Sequence, residues 1–155
     1  MEKKKEMLIL SVLRNNSRAS LTDISRQTKI PVSTIYDRLK TYHGKVIKKF
    51  TSIVDFPQIG YNAKAMVLLK VHREKVDELK LYLMNHKSVN NLMKINNGYN
   101  FLMEVVFKAI PELEDFLEKL ECDYELVEKQ AFYVIDDLRR EDFMNSPNYL
   151  KILGF

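Results

Sequence analysis

Cysteine is almost missing from this chain. Cys122 stands alone among 155 residues, so no disulfide framework and no cysteine-based metal site can form within it. A lone thiol is expected to be buried, in a protein of a reducing compartment. Tryptophan is absent, and glycine and proline number four each. There is no glycine-rich phosphate loop, no Cys/His ligand set, and no nucleophile set beside a base. The reading is therefore a non-enzyme with no cofactor and no metal. Long apolar runs are missing too, so no transmembrane helix is expected. The N-terminal stretch MEKKKEMLILSVLRNN begins basic and turns apolar, but it has no small-residue cleavage site. It reads as an amphipathic helix of a cytoplasmic protein rather than as a signal peptide.

What is present centres on Leu21–Lys40, LTDISRQTKIPVSTIYDRLK. Leu21, Ile24 and Thr28 share one face at helical spacing. Pro31 cannot continue a helix it sits inside, yet it suits the start of the next one. A second helix is expected over about Val32–Tyr42, with Ile35 and Leu39 turned inward. Two short helices across a tight turn make a helix-turn-helix. Ser33, Thr34, Tyr36, Asp37, Arg38 and Lys40 spread over the other faces of the second helix. Small hydroxyls followed by Tyr, Arg and Lys suit a helix whose N-terminal end enters a major groove. The competing reading is an ordinary helical hairpin in a globular core.

The charge is divided unevenly. Residues 1–50 hold twelve Lys and Arg against Glu2, Glu6, Asp23 and Asp37, a net +8, whereas residues 51–155 hold 13 basic and 17 acidic residues, a net −4. A basic head on an acidic body directs a polyanion to the head, where phosphate contacts supply most non-specific affinity. The acidic Glu112, Glu114, Asp115 and Glu118 lie at a helix start and on its solvent face, where acids are favoured without any catalytic role.

In chain order, a first helix is expected over about residues 4–15, with Met7, Ile9, Leu10 and Leu13 inward. Ser20 or Thr22 would cap the second helix. Gly44 would end the third. Val46, Ile47, Phe50, Ile53 and Val54 read as an extended strand leaving the head. The second half reads as strand Ala63–Val71, helix Glu74–His86, strand Val89–Asn96, strand Asn100–Phe107, helix Pro111–Leu120 and strand Glu125–Ile135. Asn97-Gly98 would form the turn between the middle strands. The expected fold is α+β: an N-terminal helix-turn-helix of winged type, then a βαββαβ ferredoxin-like domain. Residues 1–54 form the DNA-binding domain, 55–62 the linker, 63–135 the second domain, and 136–155 a C-terminal extension. One face of the four-stranded sheet is left bare and apolar, and a second copy would cover it. The extension carries Phe143, Met144, Tyr149, Leu150, Ile152 and Phe155 among its charges. It reads as a partner-packing segment, with disorder as the alternative.

This ordered set resembles the Lrp/AsnC (leucine-responsive, "feast/famine") transcription regulators. The residues that carry the likeness are Ile9-Leu10, Leu13, Asn16 with Arg18 and Ser20, Ile24, Ser33-Thr34-Ile35 with Arg38 and Leu39, and Gly44-Lys45-Val46-Ile47. Asp55 and Ile59-Gly60-Tyr61 continue it through the linker. The resemblance implies a sequence-specific regulator that binds double-stranded DNA as a homodimer, often assembled to tetramers or octamers. It also implies a second (RAM) domain that oligomerises and holds a small, amino-acid-like effector. Carried over by position, Ser33, Thr34, Tyr36 and Arg38 would meet bases or phosphates. Arg26, Lys40, Lys45, Lys48 and Lys49 would meet phosphates only. The effector turn maps to Asn97, Gly98, Tyr99 and Asn100.

Three positions depart from the family pattern. Lys29 stands where the family has Gly, so either the turn differs locally or a non-Gly residue takes a positive φ at a cost of about 1 kcal/mol. Pro31 replaces the capping Ser, and Ser33 is the candidate to cap instead. Asn100 replaces an acid, which removes the charge that would hold an ammonium group. The expectation is that this turn binds no ordinary amino acid, or binds something different. Two other functions fit the fold. A sirohaem-decarboxylase-like enzyme would need pocket groups from among His43, His72, His86, Arg73 and Arg139, none of which lies in a motif. An architectural or accessory DNA-binding protein would tolerate the altered turn.

Overall fold

A computed structural model describes residues 2–148. Three helices form the head: α1 (Glu2–Asn15), α2 (Leu21–Thr28) and α3 (Val32–Tyr42). The second half follows as β1 (Ala63–Lys70), α4 (Val76–Asn85), β2 (Val89–Lys94), β3 (Phe101–Phe107), α5 (Ile110–Tyr124) and β4 (Glu128–Tyr133). Single 3-10 turns at Pro57–Ile59 and Arg73–Lys75 precede β1 and α4. Among the described residues no helix is long and apolar enough to cross a membrane. The chain divides into two units, residues 2–53 with 138–148, and residues 54–137.

The head is built on helical periodicity. Ile9, Val12 and Leu13 of α1 meet Ile24 of α2, Ile30 of the turn and Ile35 of α3 in one core. Met7 and Leu10, expected inward, are only half-buried. Ser20 caps α2: its hydroxyl accepts from Asp23 N at 3.1 Å, and the Asp23 carboxylate accepts in return from Ser20 N. The Ser20 hydrogen bonds hold the Asp23 carboxyl below its usual range.

Two local expectations fail. Residues 46–54 form no strand; the backbone makes one isolated bridge, His43 to Ile47, around Gly44 at φ 76°. The β-branched composition there favours extension, but no neighbouring strand supplies a ladder, and propensity without pairing does not make a sheet. Cys122 is exposed, not buried. The inner stripe of α5 is Leu113, Phe116, Leu117, Leu120 and Tyr124. Position 122 falls half a turn away from Leu120, on the solvent side.

The second unit is a four-stranded antiparallel sheet of order β2-β3-β1-β4. The βαββαβ order places β1 and β3 at the centre, with Val67 opposite Met103 and Ala131. Alternation decides the faces. Ala63, Ala65, Val67 and Leu69 of β1, with Phe101, Met103, Val105 and Phe107 of β3, pack against Leu79 and Leu83 of α4 and the α5 stripe. Lys64, Met66, Leu68 and Lys70 alternate with them and are half-exposed on the opposite face. That face also carries Leu102 and Phe132, the latter 55% exposed. Glu104 sits among them, almost buried, held by the amides of Asn90 and Asn91.

His86, at the C-terminal end of α4, packs its ring on Phe116 at 4.5 Å between centroids. Its Nδ1 accepts from Ser88 N at 3.2 Å. Burial first, then the nearby Lys87 and Lys119, push its pKa below the ordinary value. A histidine depressed in the folded state stabilises fully above its unfolded pKa of about 6.5 and loses that stability as pH falls below it. We expect the sheet unit to melt at lower temperature at pH 5.5 than at pH 7.5. His86→Gln should show a clearly smaller drop over the same interval, and an equal drop in both proteins would contradict the assignment.

The extension, expected to pack on a partner or to be disordered, belongs through residue 148 with the head of its own chain. Of its apolar residues, Tyr149, Leu150, Ile152 and Phe155 lie outside the described residues.

Candidate nucleic-acid interface

The turn between α2 and α3 keeps the geometry the motif needs, without glycine. Lys29 takes φ 59° and ψ 27°, and its N–H donates to Ser25 O. The Ser25 hydroxyl then donates to Ile30 O at 2.6 Å, and Thr28 Oγ1 donates to Ile24 O at 2.7 Å. These two hydroxyls, which sequence reasoning passed over, lock the turn from inside, while Ile30 is buried below it. So the turn does not differ locally; Lys29 bears the backbone strain. Lys29→Gly should therefore raise the unfolding free energy of the head by about 0.5–1 kcal/mol, read by urea titration. No gain would show the strain to be absent.

Pro31 precedes α3 with φ −58°, and α3 has no side-chain cap. Ser33 thus does not serve as the cap. Its side chain stays on the exposed side of the helix. Val32, Ser33, Tyr36, Asp37 and Lys40 are exposed, Thr34, Arg38 and Leu39 are half-buried, and Ile35 and Tyr42 are buried. Tyr36 is 57% exposed. Tyr42 closes the inner side: burial, then the neighbouring Glu6, pushes its hydroxyl up to about 12.

The cations differ in their freedom. Arg38 is ion-paired with Glu2 of α1, a contact 36 residues apart that no sequence pattern announces. Arg26 is ion-paired with Asp23 on its own helix and remains largely exposed. Lys45, Lys48 and Lys49 follow α3 and are exposed, with Lys48 Nζ 3.4 Å from Gly44 O. All nine positions from Arg26 to Lys49 belong to the head unit, on α2, α3 and the segment after it.

The four residues of the β2–β3 turn are elsewhere, in the second unit. Asn97 and Gly98 take φ 61° and 87°. Asn100 is not free: its Oδ1 accepts from Val71 N at 2.8 Å and its N–H donates to Leu69 O at 2.9 Å. The side chain at the family's acid position therefore pins the end of β1. The Tyr99 hydroxyl donates to Glu128 and accepts from Gln130 Nε2 at 2.6 Å. Hydrogen bonds from Tyr99 and from Gln130 Nε2 hold the Glu128 carboxyl below its usual range, while the bond to Glu128 raises the Tyr99 hydroxyl. Among the described residues, no three His, Cys, Asp or Glu side chains group to hold a metal ion.

Comparison with known proteins bears on what this head does. Residues 3–42 match the model of a winged helix-turn-helix DNA-binding family. The HTH-type transcriptional regulator FL11 of Pyrococcus horikoshii is 32% identical over 111 residues, 71% of this chain and 74% of that protein. A solved transcriptional regulator of Neisseria meningitidis, in complex with L-Met, superposes with a TM-score of 0.81 at 13% identity, over 94% of this chain and 97% of that one. LrpC of Bacillus subtilis gives 0.77 at 17% identity, over 87% and 95%. The chain belongs to the Lrp/AsnC family of helix-turn-helix transcriptional regulators. As a member of that family it is a DNA-binding regulator, and the matched residues span α1, α2 and α3. The enzyme reading is not favoured: the relatives are named as transcriptional regulators.

Proposed function

We propose that this Lrp/AsnC regulator works as a homodimer whose two heads each lay α3 in the major groove of one half of a two-fold operator. Ser33, Thr34, Tyr36 and Arg38 contact base edges or nearby phosphates. Arg26, Lys40, Lys45, Lys48 and Lys49 contact phosphates and set register rather than sequence. The observation that carries this reading is the division of α3: Ile35 and Tyr42 anchor it in the head, while Ser33, Tyr36 and Lys40 stand in solvent. Arg38 must exchange Glu2 for DNA, which gives the first turn of α1 a part in the affinity. Pairing of copies through the face that carries Met66, Leu68, Leu102 and Phe132 would bury apolar surface opposite the one that α4 and α5 cover.

Selection of bound sequences from a random duplex pool tests the reading. We expect an enriched motif with two-fold symmetry, and Tyr36→Ala should relax preference at one position of each half. A pool that emerges unchanged would favour the architectural alternative.

The Neisseria relative is described in complex with L-Met. Here the amide at Asn100 is engaged with β1 and carries no charge, which supports the reading that the Asn97–Asn100 turn takes no ordinary amino acid. Calorimetric titration with the twenty amino acids should give no micromolar binding, and micromolar heat from any of them would overturn this.

A further inference from the structure

The chain crosses between its units twice. It leaves the head after residue 53, builds the sheet unit, and returns to the head from residue 138. A head on one flexible connection can swivel freely. A head held by two connections cannot, provided the returning segment is fastened to it.

The fastening is Arg14, in the last turn of α1. Its Nε donates to Phe143 O at 3.0 Å, its Nη2 to Glu141 O at 2.8 Å, and its Nη1 to Glu141 Oε2 at 2.8 Å. Two of the three acceptors are backbone carbonyls, so the grip reads the shape of the segment more than its side chains. Only a planar guanidinium presents three donors in this fork; an ammonium cannot reproduce it. Glu141 and Met144 take φ 51° and 62° without being glycine, a conformation that persists where surrounding contacts hold it. An Arg139–Asp142 ion pair at 3.2 Å and a bond from Asn145 to Asp142 close the segment on itself. Leu138 is 91% and Phe143 68% exposed, and Met144 is the half-buried apolar residue of the segment. The three bonds from Arg14 are the polar part of the attachment. Because Ile9, Val12 and Leu13 tie α1 to Ile24 and Ile35, a hold on α1 is a hold on α3.

We propose that residues 138–148 are a strap and that Arg14 is the positioning residue that, by holding the strap, makes the protein selective for the spacing between half-sites. This rests on the dimeric DNA-binding reading above. Restrained heads meet two major grooves only when these lie at one separation along the duplex, whereas released heads accommodate several.

The test uses the full chain, with Arg14→Ala and Arg14→Lys. Arg14 is outside the core, so both variants should fold. Hydrogen exchange should quicken over residues 138–148 in both, with α1–α3 unchanged. Affinity is then measured on duplexes carrying the selected half-sites with zero, two or five base pairs inserted between them. The unaltered protein should lose about 30-fold or more at five base pairs, roughly half a helical turn, and the variants under about fivefold. Unchanged exchange would overturn the clamp. Quickened exchange with an unaltered spacing profile would overturn the role in selectivity. If the unaltered protein bound no duplex, the regulatory reading would fail, and the exchange result would still decide the clamp.

Discussion

Raising the salt from about 50 to 200 mM should weaken binding to duplex DNA by about a thousandfold or more, the loss that six or more released counterions produce. Five phosphate candidates per head, Arg26, Lys40, Lys45, Lys48 and Lys49, give a dimer more than enough charge for this. The slope should fall by about one unit of log affinity per log salt for each phosphate contact removed, so Lys48→Ala in both heads lowers it by about two. Tyr36→Ala should behave differently: weaker binding to the selected operator, little change on random DNA, and an unchanged slope. Fluorescence anisotropy across a salt series distinguishes the two. A flat salt response would remove the head's net +8 from the account.

Ile35→Ala should destabilise the head by about 2–5 kcal/mol, the usual cost of emptying a buried isoleucine site. Ile35 is fully buried where α3 meets Ile9 and Ile24, in a core of few residues. A domain's whole stability is about 5–15 kcal/mol, so a three-helix head has little to spare. DNA binding should then be lost at 37 °C while the sheet unit, whose core shares no residue with the head's, keeps its protection from hydrogen exchange. Protection lost equally from both units would mean that they fold as one. Protection kept in both would mean that Ile35 is not a pillar of the head.

The elements that sequence reasoning placed well are those whose own periodicity names a buried face. Ile24, Ile35, the α5 stripe and the alternation of β1 need no knowledge of distant residues. The left-handed turn at Asn97-Gly98 was legible for the same local reason. Lys29 was half legible: the motif marks the position for a positive φ, but only the hydroxyls of Ser25 and Thr28 show how a lysine is kept there. Residues 46–54 misled because extension needs a partner that composition does not reveal. The exposure of Cys122 could have been read from helix phase alone, since Leu120 and Tyr124 already fill the inner stripe.

What escaped was long-range polar pairing. Glu2 with Arg38, Asn100 with Val71, and Arg14 with Glu141 and Phe143 lie 29 to 129 residues apart, and nothing in either partner's neighbourhood predicts the other. In each case the surprise changes a functional expectation. The α3 cation proposed to meet DNA is ion-paired with Glu2, the amide at the proposed effector turn accepts from Val71 N, and the segment after residue 138 accepts hydrogen bonds from Arg14 of α1.

The most direct test is a low-salt titration of the unaltered chain with the selected operator duplex, beside a variant carrying Ser33→Ala and Tyr36→Ala together. Both changes are on the exposed side of α3, so both proteins should melt alike. The account predicts operator binding by the unaltered chain and at least about a tenfold weaker affinity for the variant, equivalent to about 1.4 kcal/mol and within the range of one lost base contact. No binding by the unaltered chain, or equal binding by the two, would contradict it.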